Sequence, residues 1–397
     1  MAISTRVSFM ESRSFIFTVQ GEGRGHLTQA ISVYEMLISR GFKIHAVMVG
    51  SSKRRDLPEF FRKKITVPII PYQSPNFSTD PKNKSIRLGK SIWKTLWSLK
   101  KYSRSVRLIR ETVAAYRPDA IINFYEPLLG WYGLRYKKDT RIIGIGHQYI
   151  YLHPDFQFPA GRLTDRLSIK NYTRLTAFGA DALLALSFYP LPQTGNQKLK
   201  ILPPLLRKEV FDQVIHHQPF LLAYVLNEGY MQDIINWHKE HPETELHCFT
   251  DSKAVKGKWR YDDTLCFHSL DDKKFLTMMA SCSGLVCTAG FESVCEALYL
   301  GKPALLIPVG GHYEQFCNAR DAVKAGAGIY DTEFRIDRLL TYIPSYRVCE
   351  SYRKWINGVE SEVLAIVDQV LSPVTKQAST IEEIKIPPVN SALHSII

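Results

Sequence analysis

Gly284-Leu285-Val286-Cys287-Thr288-Ala289-Gly290-Phe291-Glu292-Ser293-Val294-Cys295-Glu296-Ala297-Leu298, followed by Gly301-Lys302-Pro303 and an apolar run to Pro308, reads as strand, tight turn, helix, strand. The apolar run ends at Thr288, Gly290 supplies the turn, and Ser293 to Leu298 open the helix. The first backbone N–H groups of such a helix have no partner within it, and with the positive end of the helix dipole they attract phosphate. Glu296 falls about one turn into the helix, near enough to that end to accept hydrogen bonds from sugar hydroxyls. Phosphate and polyol recognition side by side suit a nucleotide sugar. The plainer reading is an ordinary βαβ turn with a surface glutamate.

A second element follows in Pro308-Val309-Gly310-Gly311-His312-Tyr313-Glu314-Gln315-Phe316-Cys317-Asn318-Ala319, where a strand ends in a polar loop that enters another helix. Glu314, Gln315 and Asn318 are thereby gathered at one strand's carboxyl end. The run from Thr288 to Ala319 resembles the donor-binding region of the GT-B glycosyltransferases, and within them the MurG and diacylglycerol glycosyltransferase group. The shared pattern is Gly, five residues, Glu, then Gly-x-Pro, an apolar strand, a Gln-containing loop and Asn-Ala. The resemblance implies that Glu296 holds the nucleotide ribose, that Gly290, Phe291, Glu292 and Ser293 face the diphosphate, and that Glu314 and Gln315 touch the sugar. Position 314 departs from the group's usual Gln or Asp. A carboxylate there accepts sugar hydroxyl protons and repels a uronic acid donor.

Near the amino terminus, Phe15-Ile16-Phe17-Thr18-Val19-Gln20 is a short apolar strand, followed by Gly21-Glu22-Gly23-Arg24-Gly25-His26 and a periodic helix from Leu27 to Arg40, closed by Gly41. With the strand from Lys43 to Val49 this makes one βαβ unit. The loop spacing is G-x-G-x-G-H rather than G-x-G-x-x-G, and no acid ends the next strand, which disfavours a dinucleotide-dependent dehydrogenase. The same loop resembles the Gly-rich, His-ending loop after the first strand of GT-B enzymes. That resemblance puts His26 at the cleft as general base on the acceptor hydroxyl, a task suited to an imidazole with a reference pKa of about 6.5. Gly23 and Gly25 let substrate approach the backbone, and Arg24 is a further candidate for the diphosphate.

The strand Ala120-Ile121-Ile122-Asn123-Phe124 runs into Tyr125-Glu126-Pro127, near where related plant-type enzymes carry an acid. Glu126 is therefore expected to orient His26, with Asn123 as the alternative. The strand Arg141 to Gly146 ends in His147 and Gln148, which position alone nominates as acceptor contacts.

At 397 residues the chain exceeds the usual single domain. Strands alternate with helices on both sides of Pro203-Pro204, and the expected fold class is α/β, two Rossmann-like doubly wound domains facing a cleft. The expected division is 1–203 for the acceptor, 204–345 for the nucleotide sugar, 346–371 as a helix crossing back onto the first domain, and 372–397 as a tail. All seven cysteines lie in the second half, with no C-x-x-C or Cys/His metal spacing, so no structural metal is expected. No D-x-D pair appears either, and a metal-independent transfer with no cofactor beyond the UDP-sugar donor follows as the expectation. No signal peptide and no run of about 18 apolar residues is found, which suggests a cytoplasmic protein.

The charge is +13, from 51 Lys and Arg against 38 Asp and Glu. It concentrates between Lys82 and Arg110, where ten cations and no acid are interleaved with aromatic and aliphatic residues. Lys90, Trp93, Lys94, Trp97, Lys100 and Lys101 have the composition of a helix lying on an anionic membrane surface, such as the inner face of the plasma membrane. The alternative is a basic helix packed on its own domain. Nucleic acid is disfavoured as partner because no nucleic-acid module accompanies the segment. The resemblance implies an inverting transfer of a hexose or N-acetylhexosamine from a UDP-sugar to a hydroxyl of a lipid or other apolar acceptor. A UDP-sugar 2-epimerase on the same fold, or a non-catalytic membrane- or nucleic-acid-binding protein, are the competing readings.

Overall fold

The computed structural model describes residues 13–51, 57–75, 99–225 and 229–372. In the first lobe β1 (Ser14–Gln20), β2 (Lys43–Ser51), β3 (Ile69–Gln73), β4 (Ala120–Phe124), β5 (Arg141–Gly146), β6 (Ala182–Leu186) and β7 (Leu199–Leu202) form a parallel sheet in the order β3-β2-β1-β4-β5-β6-β7. Every residue of β4 and β6 is buried, because helices cover both faces of the sheet, and the strands accordingly read as unbroken apolar runs rather than alternating ones.

The second lobe repeats the plan. Its strands are β8 (Phe220–Val225), β9 (Glu245–Thr250), β10 (Lys258–Arg260), β11 (Leu265–Ser269), β12 (Gly284–Cys287), β13 (Ala304–Leu306) and β14 (Gly328–Tyr330), in the order β10-β11-β9-β8-β12-β13-β14. All neighbours are parallel except the edge pair β10 and β11.

In each sheet the chain moves outward in one direction and then returns to the other side of its first strand, between β1 and β4 and between β8 and β12. A crevice opens beyond the carboxyl ends of strands at such a reversal. The Gly21–His26 loop leaves β1 and the Thr288–Gly290 turn leaves β12, so the reversal points supply the two loops singled out in the sequence. Two non-glycine residues with left-handed backbone stand at the same places, Tyr125 (φ 58°) just after β4 and Ala289 (φ 53°) just after β12. Such conformations cost on the order of 1–3 kcal/mol and are retained where surrounding structure over-determines them.

The segment read as one helix from Tyr346 to Leu371 is two, Glu350–Ile356 and Val359–Leu371, broken at Asn357 and Gly358. Val359, Val363 and Val367 join a buried cluster that includes Phe15, Val33 and Ile143 of the first lobe. Arg13 pairs with Asp368 at 2.8 Å and Arg40 with Glu360 at 2.7 Å along the same contact.

Of the basic segment, Lys90, Trp93, Lys94 and Trp97 lie outside the described residues, while Lys100 and Lys101 fall in the first turn of the helix Leu99–Tyr116. From Tyr102 onward the apolar face of this helix is core: Tyr102, Val106, Ile109 and Val113 pack inside their own lobe, and Ser105 Oγ donates to the Gln73 carbonyl at 2.7 Å. Arg104, Arg107 and Arg110 face solvent.

Candidate active site

A cavity of about 600 Å³ lies between the lobes, lined by Gly23, Arg24, Gly25 and His26 on one side and by Gly290, Phe291, Glu292, Ser293 and Glu296 on the other. The helix Phe291–Tyr299 begins at Gly290, which has no side chain to cap its first N–H groups, and Gly290, Phe291, Glu292 and Ser293 of that end line the cavity. Gly25 faces that tip closely: a Cβ there would come within 3.2 Å of Glu292 Cγ.

His26 sits in the first turn of the helix Arg24–Ser39. Its ring stacks on Tyr125, with centroids 5.5 Å apart, and Nε2 lies 3.5 Å from Gln148 Nε2. Nδ1 has no hydrogen-bond partner in the described structure. Burial lowers its pKa to about 4, against a smaller opposing contribution from Gln29, so the ring is neutral at neutral pH and holds a free lone pair.

Glu126 does not orient it. The Glu126 carboxylate accepts from Ser74 Oγ at 2.6 Å and from the Leu128 amide at 3.1 Å, where it caps the helix Pro127–Arg135. The reason is local: a carboxylate immediately before Pro at the first helical position is an N-cap, and its own helix claims it. Burial pushes this acid up to about 8. Asn123, the alternative, bonds Thr18 Oγ1 and the Glu126 and Thr176 carbonyls and is equally committed.

His147 and Gln148 behave differently from each other. The expected acceptor contact by His147 is not available, because Nδ1 bonds the Leu186 carbonyl at 2.7 Å, Nε2 meets Asn318 Oδ1 at 3.0 Å, and the ring stacks 3.9 Å from Phe291. It is a pin between the lobes. Gln148 lines the cavity and donates to Glu314 Oε1 at 2.9 Å across the cleft. Asn318 is likewise withdrawn from the cavity. Its Nδ2 donates to the Ala289 carbonyl at 3.3 Å and so holds the left-handed turn before the helix tip.

The remaining donor-side residues line the cavity. Glu314 has its pKa raised by burial to about 7, with the Gln148 bond opposing. Gln315 Oε1 accepts from the Val309 amide at 2.9 Å and fixes the loop that carries Glu314. Glu292 accepts from Gln29 Nε2 at 2.6 Å, and burial raises it to about 8. Arg24 does not stand free for a diphosphate: it pairs with Asp272 at 2.7 Å, between the lobes, and lies over the Phe60 ring.

Glu296, expected to face ribose, has both carboxylate oxygens taken by Arg207, Nε to Oε1 at 2.6 Å and Nη2 to Oε2 at 2.9 Å. Arg207 went unremarked in the sequence, as did Gln29, Tyr125 and Asp272. A cation standing a few residues past Pro203-Pro204, at the junction of two lobes, was the available signal for Arg207. Gln29 is legible only as one turn beyond His26 on the same helix face. Tyr125 and Asp272 carry no signal at all.

With this geometry in place, the chain matches the family described as glycosyl transferase family 1 over residues 13–345. It belongs to that family. The protein is a GT-B glycosyltransferase of MurG-like type, and its relatives agree with its architecture. It is 25% identical over 328 residues, 76% of this chain and 81% of the relative, to the UDP-N-acetylglucosamine--N-acetylmuramyl-(pentapeptide) pyrophosphoryl-undecaprenol N-acetylglucosamine transferase of Fusobacterium nucleatum. Among solved structures, Acinetobacter baumannii MurG superposes with a TM-score of 0.53 at 15% identity, covering 90% of this chain and 99% of that one. Phytolacca americana UGT2, solved with UDP-2fluoro-glucose and pterostilbene, gives a TM-score of 0.62 at 10% identity, covering 91% of this glycosyltransferase and all (100%) of that chain. At those identities the structures speak to the fold alone.

Proposed function

We propose that this glycosyltransferase moves a hexose or N-acetylhexosamine from a UDP-sugar to a hydroxyl of a lipid or other apolar acceptor at the cytoplasmic membrane face, with inversion at the anomeric carbon and without a metal. The observation that carries the reading is the uncapped tip of the helix Phe291–Tyr299 facing His26 across one cavity. The donor diphosphate rests on the tip's N–H groups, and Glu314 and Gln315 meet the sugar. His26 takes the acceptor hydroxyl proton as the acceptor oxygen bonds the anomeric carbon and the bond to the diphosphate oxygen breaks. The electron pair leaves on UDP, whose added charge is met by the N–H groups of the helix tip.

The apolar acceptor and the membrane face are supported by the Fusobacterium relative, whose name specifies an undecaprenol-linked acceptor, and by the basic surplus of the chain. Among the described residues no helix is long and apolar enough to cross a membrane, in keeping with attachment at the surface. The test is incubation with radiolabelled UDP-sugars, with and without a membrane lipid extract. Label passing into the organic phase only when both are present supports the proposal; sugar released to water, or isomerised without acceptor, overturns it.

A further inference from the structure

On the second sheet, behind the cavity wall, the fold assembles three metal-ligating side chains that no stretch of sequence places together. His247 stands on β9, Cys266 and His268 on β11, and Cys266 is the direct register partner of His247. Partners in a parallel pair point to the same face, and residues two apart on one strand do as well, so all three side chains emerge on one face. One ligand atom from each, two ring nitrogens and the thiol sulfur, lies within 4.8 Å of the others. His247 Nδ1 and His268 Nε2 are 3.1 Å apart. At the usual zinc bond lengths, ligand atoms of a tetrahedral site stand about 3.3–3.6 Å apart, so the two nitrogens need separate by only a few tenths of an ångström, while the sulfur, within 4.8 Å of them, closes by at most about 1.2 Å.

We infer that His247, Cys266 and His268 form a binding site for a thiophilic transition-metal cation of the zinc class, distinct from the groups that act in glycosyl transfer. The neighbouring groups fit that role. His247 presents Nδ1 to the trio while Nε2 lies 3.1 Å from Glu245 Oε1, the carboxylate-to-histidine support that fixes a ligating imidazole. Lys274 donates to His268 Nδ1 at 3.1 Å and must turn aside so that this nitrogen carries the proton when Nε2 binds; it is exposed and free to do so. Lys258, Lys274 and Arg260 put positive charge around Cys266, against the negative charge of Glu245. That balance disfavours hard cations held by charge alone and selects for covalent softness, which thiolate and imidazole supply. On binding, the metal–sulfur bond forms and the thiol proton passes to solvent, so affinity rises with pH. The bound ion ties β9 to β11 directly behind Phe249, a residue that stacks on His268 and lines the cavity.

The test uses the full chain, stripped with chelator and titrated with Co²⁺ and then Zn²⁺. One Co²⁺ per chain is expected, with thiolate-to-cobalt absorption in the near ultraviolet that Zn²⁺ abolishes. Cys266→Ser removes the absorption, whereas Cys349→Ser, at a half-buried thiol elsewhere, retains it. His247→Gln weakens Co²⁺ binding at least tenfold and, being at a half-buried position, serves if Cys266→Ser does not fold. No thiolate absorption in the unaltered protein, its persistence in Cys266→Ser, or unchanged affinity in His247→Gln overturns the site. None of these readouts depends on transferase activity.

Discussion

Arg207 grips Glu296 with two parallel hydrogen bonds at the rim of the donor cavity, and the carboxylate is nearly closed to solvent, its side chain 4% exposed. The pair prevents a buried charge from standing alone. On the proposed function, ribose hydroxyls would enter by taking over one of the two carboxylate oxygens. Replacing Glu296 with Ala leaves the Arg207 guanidinium unpaired and is expected to destabilise the protein by about 3–5 kcal/mol, read by urea unfolding. Glu296→Gln keeps the shape and should raise the donor KM with a smaller stability loss. Equal donor KM in Glu296→Gln and the parent enzyme would show that the acid has no part in nucleotide binding.

His26→Ala is expected to lower kcat by about 10²–10⁴-fold with donor affinity unchanged, measured by single-turnover transfer and by UDP-sugar titration. Because burial holds the ring's pKa near 4, the acid limb of the rate profile should fall near pH 4 rather than near 6.5. The same shift bears on stability. The unfolded ring binds a proton more readily than the native one, so this contribution is lost as pH falls from about 6.5 toward 4.

Glu126 makes the opposite pH prediction. Its native pKa, near 8, lies above the ordinary glutamate value, so the native state holds a proton that the unfolded chain releases. Stability from this group is complete at pH 4 and declines as pH rises to about 8. Glu126→Gln, which cannot ionise, should gain in melting temperature relative to the parent as pH rises from 5 to 8, followed by scanning calorimetry, while retaining transfer. A large loss of kcat in this variant would restore the carboxylate to a catalytic role.

Glu314 titrates near neutrality, pushed to about 7 by burial, and bonds Gln148 from the opposite lobe. Ionised, it accepts donor hydroxyl protons; neutral, it loses part of that capacity. The donor KM should therefore fall between pH 6 and 8 in the parent enzyme and stay flat in Glu314→Gln. The same variant should admit UDP-glucuronate better than the parent does, by competition against the preferred donor.

Two lobes, the glycine loop ending in His26 and the helix opening at Gly290 were legible in the chain, because each depends on local periodicity and on backbone positions that only certain residues tolerate. A strand buried on both faces announces itself as an apolar run, and an uncapped helix start announces itself as Gly before a periodic segment. The partners of the charged residues were not legible. Arg24 crosses to Asp272, Glu296 meets Arg207, and Cys266 stands beside His247, all pairings set by which strands lie next to one another and how the lobes close, whereas the Glu126 cap is local and was readable from the proline that follows it. Local pattern carries the energy of a few neighbouring residues, whereas the destination of a buried charge depends on every group that shares its desolvated space, and that space exists only once the chain has folded.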